Sequence, residues 1–570
     1  MPSAVSKRIV VVGGVAGGMA AATRARRLDE NASITVFDKG PYTGFANCGI
    51  PYALDGVIPN DSSLILQTPE GFKNRFNIDV HVNAEVTKID RAAKTVEVKA
   101  TDEKESKQYP YDSLILSQGA EAFVPPVDGI QASNVFTLQT IPELQSVKNY
   151  IAANSCKSVA IIGGGFIGLE AAENLRLHGL DVSIIEYMPH VFPPVDSDIA
   201  EPIHSELRKN GIQLYLNARM QGIEAAPEGN GRASAIVLSD GIKVPFDLAI
   251  VAVGVRPRVS LAQEAGLQVD RNGVVINEFM QTSDPDIYAV GDMICTPHRI
   301  TSRPMRVALA GPAARQGRLA ADKIFGYATA ASAYRGNIGT SACKVFDLTV
   351  GIAGLSVKVL EDMGLNPLWV TVHPPDHAGY YPTAHPITLK VAFEPGTGRL
   401  LGAQAIGLAG VDKRIDVLAT AMQGNMTITD LTHLELAYAP PYGSAKDPVN
   451  MAGYVGSNVL ADDVQVVHAA EINIQALAAK GTQIVDVRSP SEFSKGHLPN
   501  AVNIPVNNLR KAVEAGSLDQ NKDVVVYCQV GYRGYLAYRI LKHKGFNVVN
   551  LDGGYKAVSE GGYKALQANL

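Results

Sequence analysis

Arg8-Ile9-Val10-Val11-Val12-Gly13-Gly14-Val15-Ala16-Gly17-Gly18 decides the fold of the first part of this 570-residue chain. The apolar run suits a strand buried on both faces. The glycines allow a tight turn and close helix packing, and an alanine-rich helix is predicted over residues 19–28. A second strand, Ile34-Thr35-Val36-Phe37, ends at Asp38, twenty residues after Gly18. Strand, glycine turn, helix, strand and acid together make a dinucleotide-binding βαβ unit, with Val15 standing where the middle glycine is expected. Gly13, Gly14, Ala16, Gly17 and Gly18 are the candidate pyrophosphate cradle at a helix N-terminus. Asp38 is the candidate ribose acceptor.

The pattern returns in Val159-Ala160-Ile161-Ile162 followed by Gly163-Gly164-Gly165-Phe166-Ile167-Gly168. Here all three fingerprint glycines, Gly163, Gly165 and Gly168, are present, and the next strand ends at Glu186. Two Rossmann-like units imply two dinucleotides, and FAD with a nicotinamide is the natural pair. A carboxylate about 4 Å from a 2′-phosphate is repelled by roughly 4 kcal/mol at an effective dielectric near 20. Tyr187-Met188-Pro189 supply no cation, so Glu186 favours NADH over NADPH.

Cys48 follows the first unit in Gly44-Phe45-Ala46-Asn47-Cys48-Gly49-Ile50-Pro51-Tyr52, and the next cysteine is Cys156. A thiol there can lie against the redox ring of a flavin. Without a neighbour it closes its cycle with an external sulfur or as a sulfenic acid. Composition is that of ordinary globular protein, 46% hydrophobic and 19% charged, with net charge −5, so neither nucleic acid nor membrane is an expected partner. Five widely spaced cysteines suit a reducing compartment. With no apolar leader or spanning stretch, a cytoplasmic protein is expected. The histidines lack ligand spacing and no metal site is expected.

Ser283-Asp284-Pro285-Asp286-Ile287-Tyr288-Ala289-Val290-Gly291-Asp292, together with Leu114-Ile115-Leu116-Ser117-Gln118-Gly119-Ala120, resembles the landmarks of the two-dinucleotide-domain flavoprotein reductases. The resemblance implies that Gly291 and Asp292 bind FAD, and that residues from about 334 to 456 form a dimerisation domain completing the partner's active site. The motif around Cys48 resembles that of the coenzyme A-disulfide reductases. So do His377-Ala378-Gly379-Tyr380-Tyr381-Pro382, Leu436-Ala437-Tyr438-Ala439-Pro440-Pro441-Tyr442 and Ala445-Lys446-Asp447-Pro448-Val449-Asn450. That likeness implies Tyr380 and Tyr438 beside the sulfur of bound coenzyme A, where a phenol can act as general acid. It implies Arg24, Arg27, Asn47 and Lys446 as coenzyme A contacts. Gly44 stands where serine is usual, and Ala314 where asparagine is usual.

The last hundred residues have their own α/β rhythm. Ile484-Val485-Asp486-Val487-Arg488, Glu492, Gly496-His497-Leu498-Pro499-Asn500-Ala501 and Val524-Val525-Val526-Tyr527-Cys528 resemble a rhodanese domain. Its active loop would be Cys528-Gln529-Val530-Gly531-Tyr532-Arg533-Gly534. A cysteine at a strand–loop–helix junction faces backbone N–H groups that stabilise an anionic sulfur, and Arg533 adds a positive charge.

The expected architecture is α/β. It has two Rossmann-like dinucleotide-binding domains, an α+β dimerisation domain and a C-terminal α/β rhodanese domain. The expected bounds are 1–120 and 248–330 for the FAD domain, 121–247 for the NADH domain, 331–456 for dimerisation, 457–465 for a linker and 466–570 for the rhodanese domain. The resemblance implies a homodimeric NADH-dependent flavoprotein reductase. Its substrate is a small-molecule persulfide, polysulfide or disulfide, its cofactors are FAD, NADH and coenzyme A, and Cys48 and Cys528 handle the sulfur. Two alternatives are an NADH oxidase or peroxidase cycling Cys48 through sulfenic acid, and a relay passing sulfur to a protein acceptor.

Overall fold

The computed structural model describes residues 6–101, 105–227 and 231–566. By internal contacts the chain falls into two units, residues 1–187 with 218–337, and residues 188–217 with 338–570.

The first unit holds two parallel sheets. In one, Arg8–Val12 lies between Ser33–Phe37 and Ser113–Leu116, with Asp79–His81 and Ile287–Ala289 outermost. The inner strands are apolar on both faces because helix Ala16–Leu28 and the antiparallel strands Ala84–Asp90 and Thr95–Ala100 share one core with them. Ile9, Val11, Ile34, Val36, Leu114 and Ile115 are all buried in one core with the alanines of helix Ala16–Leu28. In the other sheet Ser158–Ile162 pairs in parallel with Asp181–Ile185 and with Leu248–Val251. The second sheet therefore reaches past residue 247, the expected point of return. The chain comes back to the first sheet only at Ile287–Ala289, because residues 248–251 are an apolar run that needs a place between two neighbours. The two crossings pair with each other, Ala120–Ala122 antiparallel to Val255–Pro257.

The second unit contains a five-stranded antiparallel sheet in the order Ser341–Val345, Leu348–Gly354, Leu400–Gly407, Thr388–Phe393, Leu368–Val372. Helices Val411–Gln423 and Pro448–Leu460 pack on it. The expected linker begins too early. The last helix runs on to Leu460, because Gly456 is a point of close packing and not a stop, and a Cβ there would lie 2.3 Å from Ile428. Of residues 188–217, expected with the NADH domain, Gln213–Tyr215 is the edge strand of the sheet of Ser158–Ile162, and the stretch through Asp196 is anchored in this unit. The Asp196 backbone N–H donates to Gln404 Oε1, and its carboxylate accepts from Gln404, Lys390 and the backbone of Val357 and Lys358.

The C-terminal part is a parallel sheet in the order Val466–Val467, Val548–Leu551, Val524–Tyr527, Gln483–Asp486, Ala501–Asn503. Val485, Val524, Val526, Ala537 and Leu541 form its core on one side, and Ile484, Leu498, Tyr527 and Leu551 on the other.

Candidate active sites

Each glycine turn in the first unit is shut by the acid at the end of its second strand. Gly14 N–H donates to Asp38 Oδ2 at 2.7 Å, and Gly164 N–H donates to Glu186 Oε2 at 2.6 Å. Thr43 Oγ1 donates to Gly14 O at 2.6 Å. The turns tolerate no side chain where they meet the next strand or their own helix. A Cβ on Gly18 would lie 1.9 Å from Gly13 O, and one on Gly168 2.0 Å from Gly163 O. Gly165 differs, because a Cβ there would meet nothing within 4 Å. The space beside it is free for a pyrophosphate.

At the residues expected to hold FAD, polar atoms are left open. Burial pushes the Asp292 carboxyl up, with Arg306 opposing, and no donor among the described residues bonds to it. Gln118 Oε1 is buried without a partner. Two buried acceptors left open suit the hydroxyls of a sugar or ribityl chain. Behind Asp292, Gly291 N–H donates to Gln316, whose amide donates to Tyr334. Tyr334 donates in turn to Asn337, so the turn is braced.

Cys48 sits on a short 3-10 turn, Asn47–Gly49, and is exposed. Desolvation raises its thiol pKa, and the charges of Glu170 and Asp292 raise it further. Glu170 projects from the second turn of helix Phe166–Leu177 and accepts a 2.9 Å hydrogen bond from Tyr52 Oη. Burial raises Glu170 too, with the Tyr52 bond opposing. Sequence reasoning passed over Glu170. The available signal was a lone acid in the apolar helix opening Phe166-Ile167-Gly168-Leu169-Glu170.

Arg24 and Arg27 are three residues apart on one helix. Arg24 is engaged, its Nε 2.6 Å from Asp322, whereas Arg27 is exposed. Helix Ala310–Ile324, which carries Ala314 and Asp322, packs on theirs so closely that a Cβ on Gly317 would lie 2.1 Å from Gly17 O. Asn47 is exposed and reaches Gln139 O at 3.5 Å. Gly44 has φ +58°, and a Cβ there would press on the Phe72 ring, so the usual serine would be strained.

In the second unit Tyr380 and Tyr438 come together from loops 58 residues apart, with their hydroxyls 3.2 Å from each other. They are 78% and 49% exposed, and the bond to Tyr438 holds the Tyr380 phenol above its ordinary pKa. Arg414 ties the two loops together. It donates to Asp376 O at 2.6 Å and to Asp447 Oδ2 at 2.8 Å, and it is 1% exposed. Asp376 accepts from the backbone of His377 and His385, and Asp447 caps helix Pro448–Leu460. Asp376, His377, His385 and Pro441 line a 540 Å³ cavity. Lys446 is exposed, its Nζ 6.0 Å from the centre of the Tyr454 ring. The sequence reading missed Arg414, since one arginine in an amphipathic helix carries no mark of a buried charge.

Cys528 is fully buried at the end of Val524–Tyr527, and its loop feeds helix Tyr532–His543 through Gly531 at φ +97°. The loop is pinned from behind, with Tyr555 N–H donating to Cys528 O and Lys556 N–H to Gln529 O. Arg488, buried and paired with Asp486, donates to Gln529 Oε1 at 2.9 Å. Arg533 lies within electrostatic reach of the Cys528 sulfur. It makes a two-pronged ion pair with Glu492 at 2.6 and 2.8 Å, which holds that carboxyl down at about 2.

The pyridine nucleotide-disulphide oxidoreductase model matches residues 7–317, its dimerisation-domain model residues 340–448, and the rhodanese-like domain model residues 470–560. A coenzyme A disulfide reductase of Staphylococcus haemolyticus is 35% identical over 79% of this chain and 99% of its own length. The solved structure of reduced Bacillus anthracis CoADR-RHD is 42% identical, covers 99% of both chains and has a TM-score of 0.95. An NAD-dependent persulfide reductase from A. fulgidus is 35% identical, with a TM-score of 0.89, over 96% of this chain and 99% of its own.

Proposed function

Because the chain belongs to the pyridine nucleotide-disulphide oxidoreductase family and ends in a rhodanese-like domain, we propose that it is an NADH-dependent persulfide or coenzyme A-disulfide reductase. We assign it to the cytoplasm, acting as a homodimer. The observation that carries this reading is a pair of lone thiols in two kinds of site. Cys48 is exposed beside the dinucleotide turns, and Cys528 is buried in a loop of backbone donors. The family's dimerisation domain supports the dimer.

FAD, when bound, takes a hydride from NADH and makes an electron pair available to a disulfide. Asp38, Asp292 and the turn at Gly13–Gly18 would hold it, and Glu186 with the turn at Gly163–Gly168 would hold NADH. Cys48 then alternates between a thiol and a mixed disulfide with an external thiol, for which coenzyme A is the candidate. For a persulfide the overall change balances as NADH + H⁺ + RSSH giving NAD⁺ + RSH + H₂S. Tyr438, with Tyr380 bonded to it, is the candidate proton donor to the leaving sulfur. Arg27 and Lys446 are candidate phosphate contacts, and Arg24 joins them only if it turns from Asp322. Cys528 accepts sulfane sulfur as a persulfide, with Arg533 beside it.

Intact-mass measurement of the oxidised protein, with and without dithiothreitol, tests the scheme. A coenzyme A adduct on Cys48 that dithiothreitol removes is expected. Cys48 found as sulfenic acid with no coenzyme A released would move the assignment to peroxide or oxygen chemistry.

A further inference from the structure

Among the described residues, each cation bonded to the Cys528 loop has a carboxylate of its own. Arg488, which bonds Gln529, is locked on Asp486 by both Nε and Nη2. Lys556, whose N–H holds Gln529 O, bonds Glu560 through its Nζ. Arg533 pairs with Glu492 through both terminal nitrogens while also reaching the Cys528 sulfur, so its charge is shared between the two. The loop side chains before Arg533, namely Cys528, Gln529, Val530 and Tyr532, carry no charge, and Val530 and Tyr532 are exposed. The side chains around the thiol therefore sum to no net charge. What remains for a donor is a set of backbone N–H groups and an apolar rim.

We propose that Glu492, by closing Arg533 in an ion pair, makes Cys528 select organic persulfides over the thiosulfate dianion. The inference rests on the reading of Cys528 as sulfur acceptor and adds its donor class. With a persulfide, the Cys528 thiolate attacks the terminal sulfur and the donor's S–S bond breaks. RSSH + Cys-S⁻ gives RSH + Cys-S-S⁻. With thiosulfate, the same attack expels sulfite, S₂O₃²⁻ + Cys-S⁻ giving SO₃²⁻ + Cys-S-S⁻. Neither reaction needs an oxidant or reductant. In the second, three negative charges meet in one site, and among the described residues tied to the loop its arginine, already shared with Glu492, leaves no unmatched cation to offset them. An organic persulfide brings at most one charge on its sulfane group, and its carbon chain can lie along Val530 and Tyr532.

The test measures the rate at which Cys528 gains one sulfur, by mass spectrometry, in full-length holoprotein carrying Cys48→Ser so that the flavin site cannot discharge it. The donors are glutathione persulfide and thiosulfate. Persulfide is expected to load Cys528 at least about tenfold faster, and Glu492→Gln to raise the thiosulfate-to-persulfide ratio about tenfold by opening Arg533 to the donor. Val530→Lys, which leaves the ion pair intact and Glu492 still accepting from Ser489 N–H and Oγ, is expected to raise it too. Equal loading by both donors in the Cys48→Ser parent, or a ratio unmoved in both variants, would overturn the selectivity. Loading by neither donor would overturn the reading of Cys528 itself, and the selectivity with it.

Discussion

At the scale of single residues, Cys48 is a thiol that the bare protein makes a poorer thiolate. Desolvation and two carboxylates all act against its charge. Removing one of them, by Glu170→Gln, lowers the energy of the thiolate and so lowers the pKa. Alkylation of reduced Cys48 by iodoacetamide is therefore expected to follow a pH profile with its midpoint shifted down in the variant. A midpoint that stays put or rises would show that Glu170 does not act on the thiol. Glu186 carries a second prediction. A variant combining Glu186→Ala with Tyr187→Arg trades repulsion for attraction at a 2′-phosphate, and about tenfold or more gain in kcat/KM for NADPH relative to NADH is expected. An unchanged ratio would mean that the Glu186 carboxylate, bonded to Gly164, does not face the cofactor. The positions of Asp38, Glu186 and Cys528 at strand ends were legible in the sequence because an apolar run stops at each, and Cys48 was marked by the motif around it. Glu170 and Glu492 were not read as site groups, since their importance comes from where another segment places a thiol or an arginine.

Among elements, the two tyrosine-bearing loops are the part of the site that needs most support, since both side chains are exposed. Their support is a buried charge pair, Arg414–Asp447, with side chains 1% and 4% exposed. Breaking a buried pair from one side leaves the other charge without a partner, at a cost of about 3–5 kcal/mol. Arg414→Leu is expected to destabilise the second unit by that order in urea unfolding. The double variant Arg414→Leu with Asp447→Asn is expected to recover part of the loss. A double variant no better than the single would mean that the loss comes from the loop carbonyls and not from the stranded carboxylate. The strands that lead into the motifs, Arg8–Val12, Ser158–Ile162 and Val524–Tyr527, were readable as apolar runs. The bound expected at residue 456 falls inside helix Pro448–Leu460, because Gly456 gives no sign in the sequence of its close packing on Ile428.

For the molecule as a whole, the order of domains was legible because each carries a local motif, but the joint between the last two was not. In the second unit, the rhodanese-like part meets the antiparallel sheet through single side chains far apart in sequence. Thr371 N–H donates to Asp552 at 2.8 Å, and His468, paired with Asp552, stacks on Trp369. His373 packs against Gly553, next to the backbone that pins the Cys528 loop. Its Nδ1 shares a 2.9 Å hydrogen bond with Thr388 Oγ1, and its Nε2 is buried without a hydrogen-bond partner among the described residues. Burial, with Lys556 adding to it, lowers its pKa from an ordinary 6.5 to about 3. The folded state therefore binds fewer protons than the unfolded state between those two values. The full contribution of this site is present above pH 6.5 and is lost as pH falls towards 3, by about 1.4 kcal/mol per pH unit once well inside the window. Replacing His373 with Asn, which keeps a donor for Thr388 but cannot take up a proton, is expected to flatten this acid limb while costing some stability at neutral pH. Urea unfolding of the two proteins from pH 7 down to pH 4 checks it. Parallel curves would mean that His373 is protonated in the folded protein, and that the joint behind Cys528 is open to water and not packed shut.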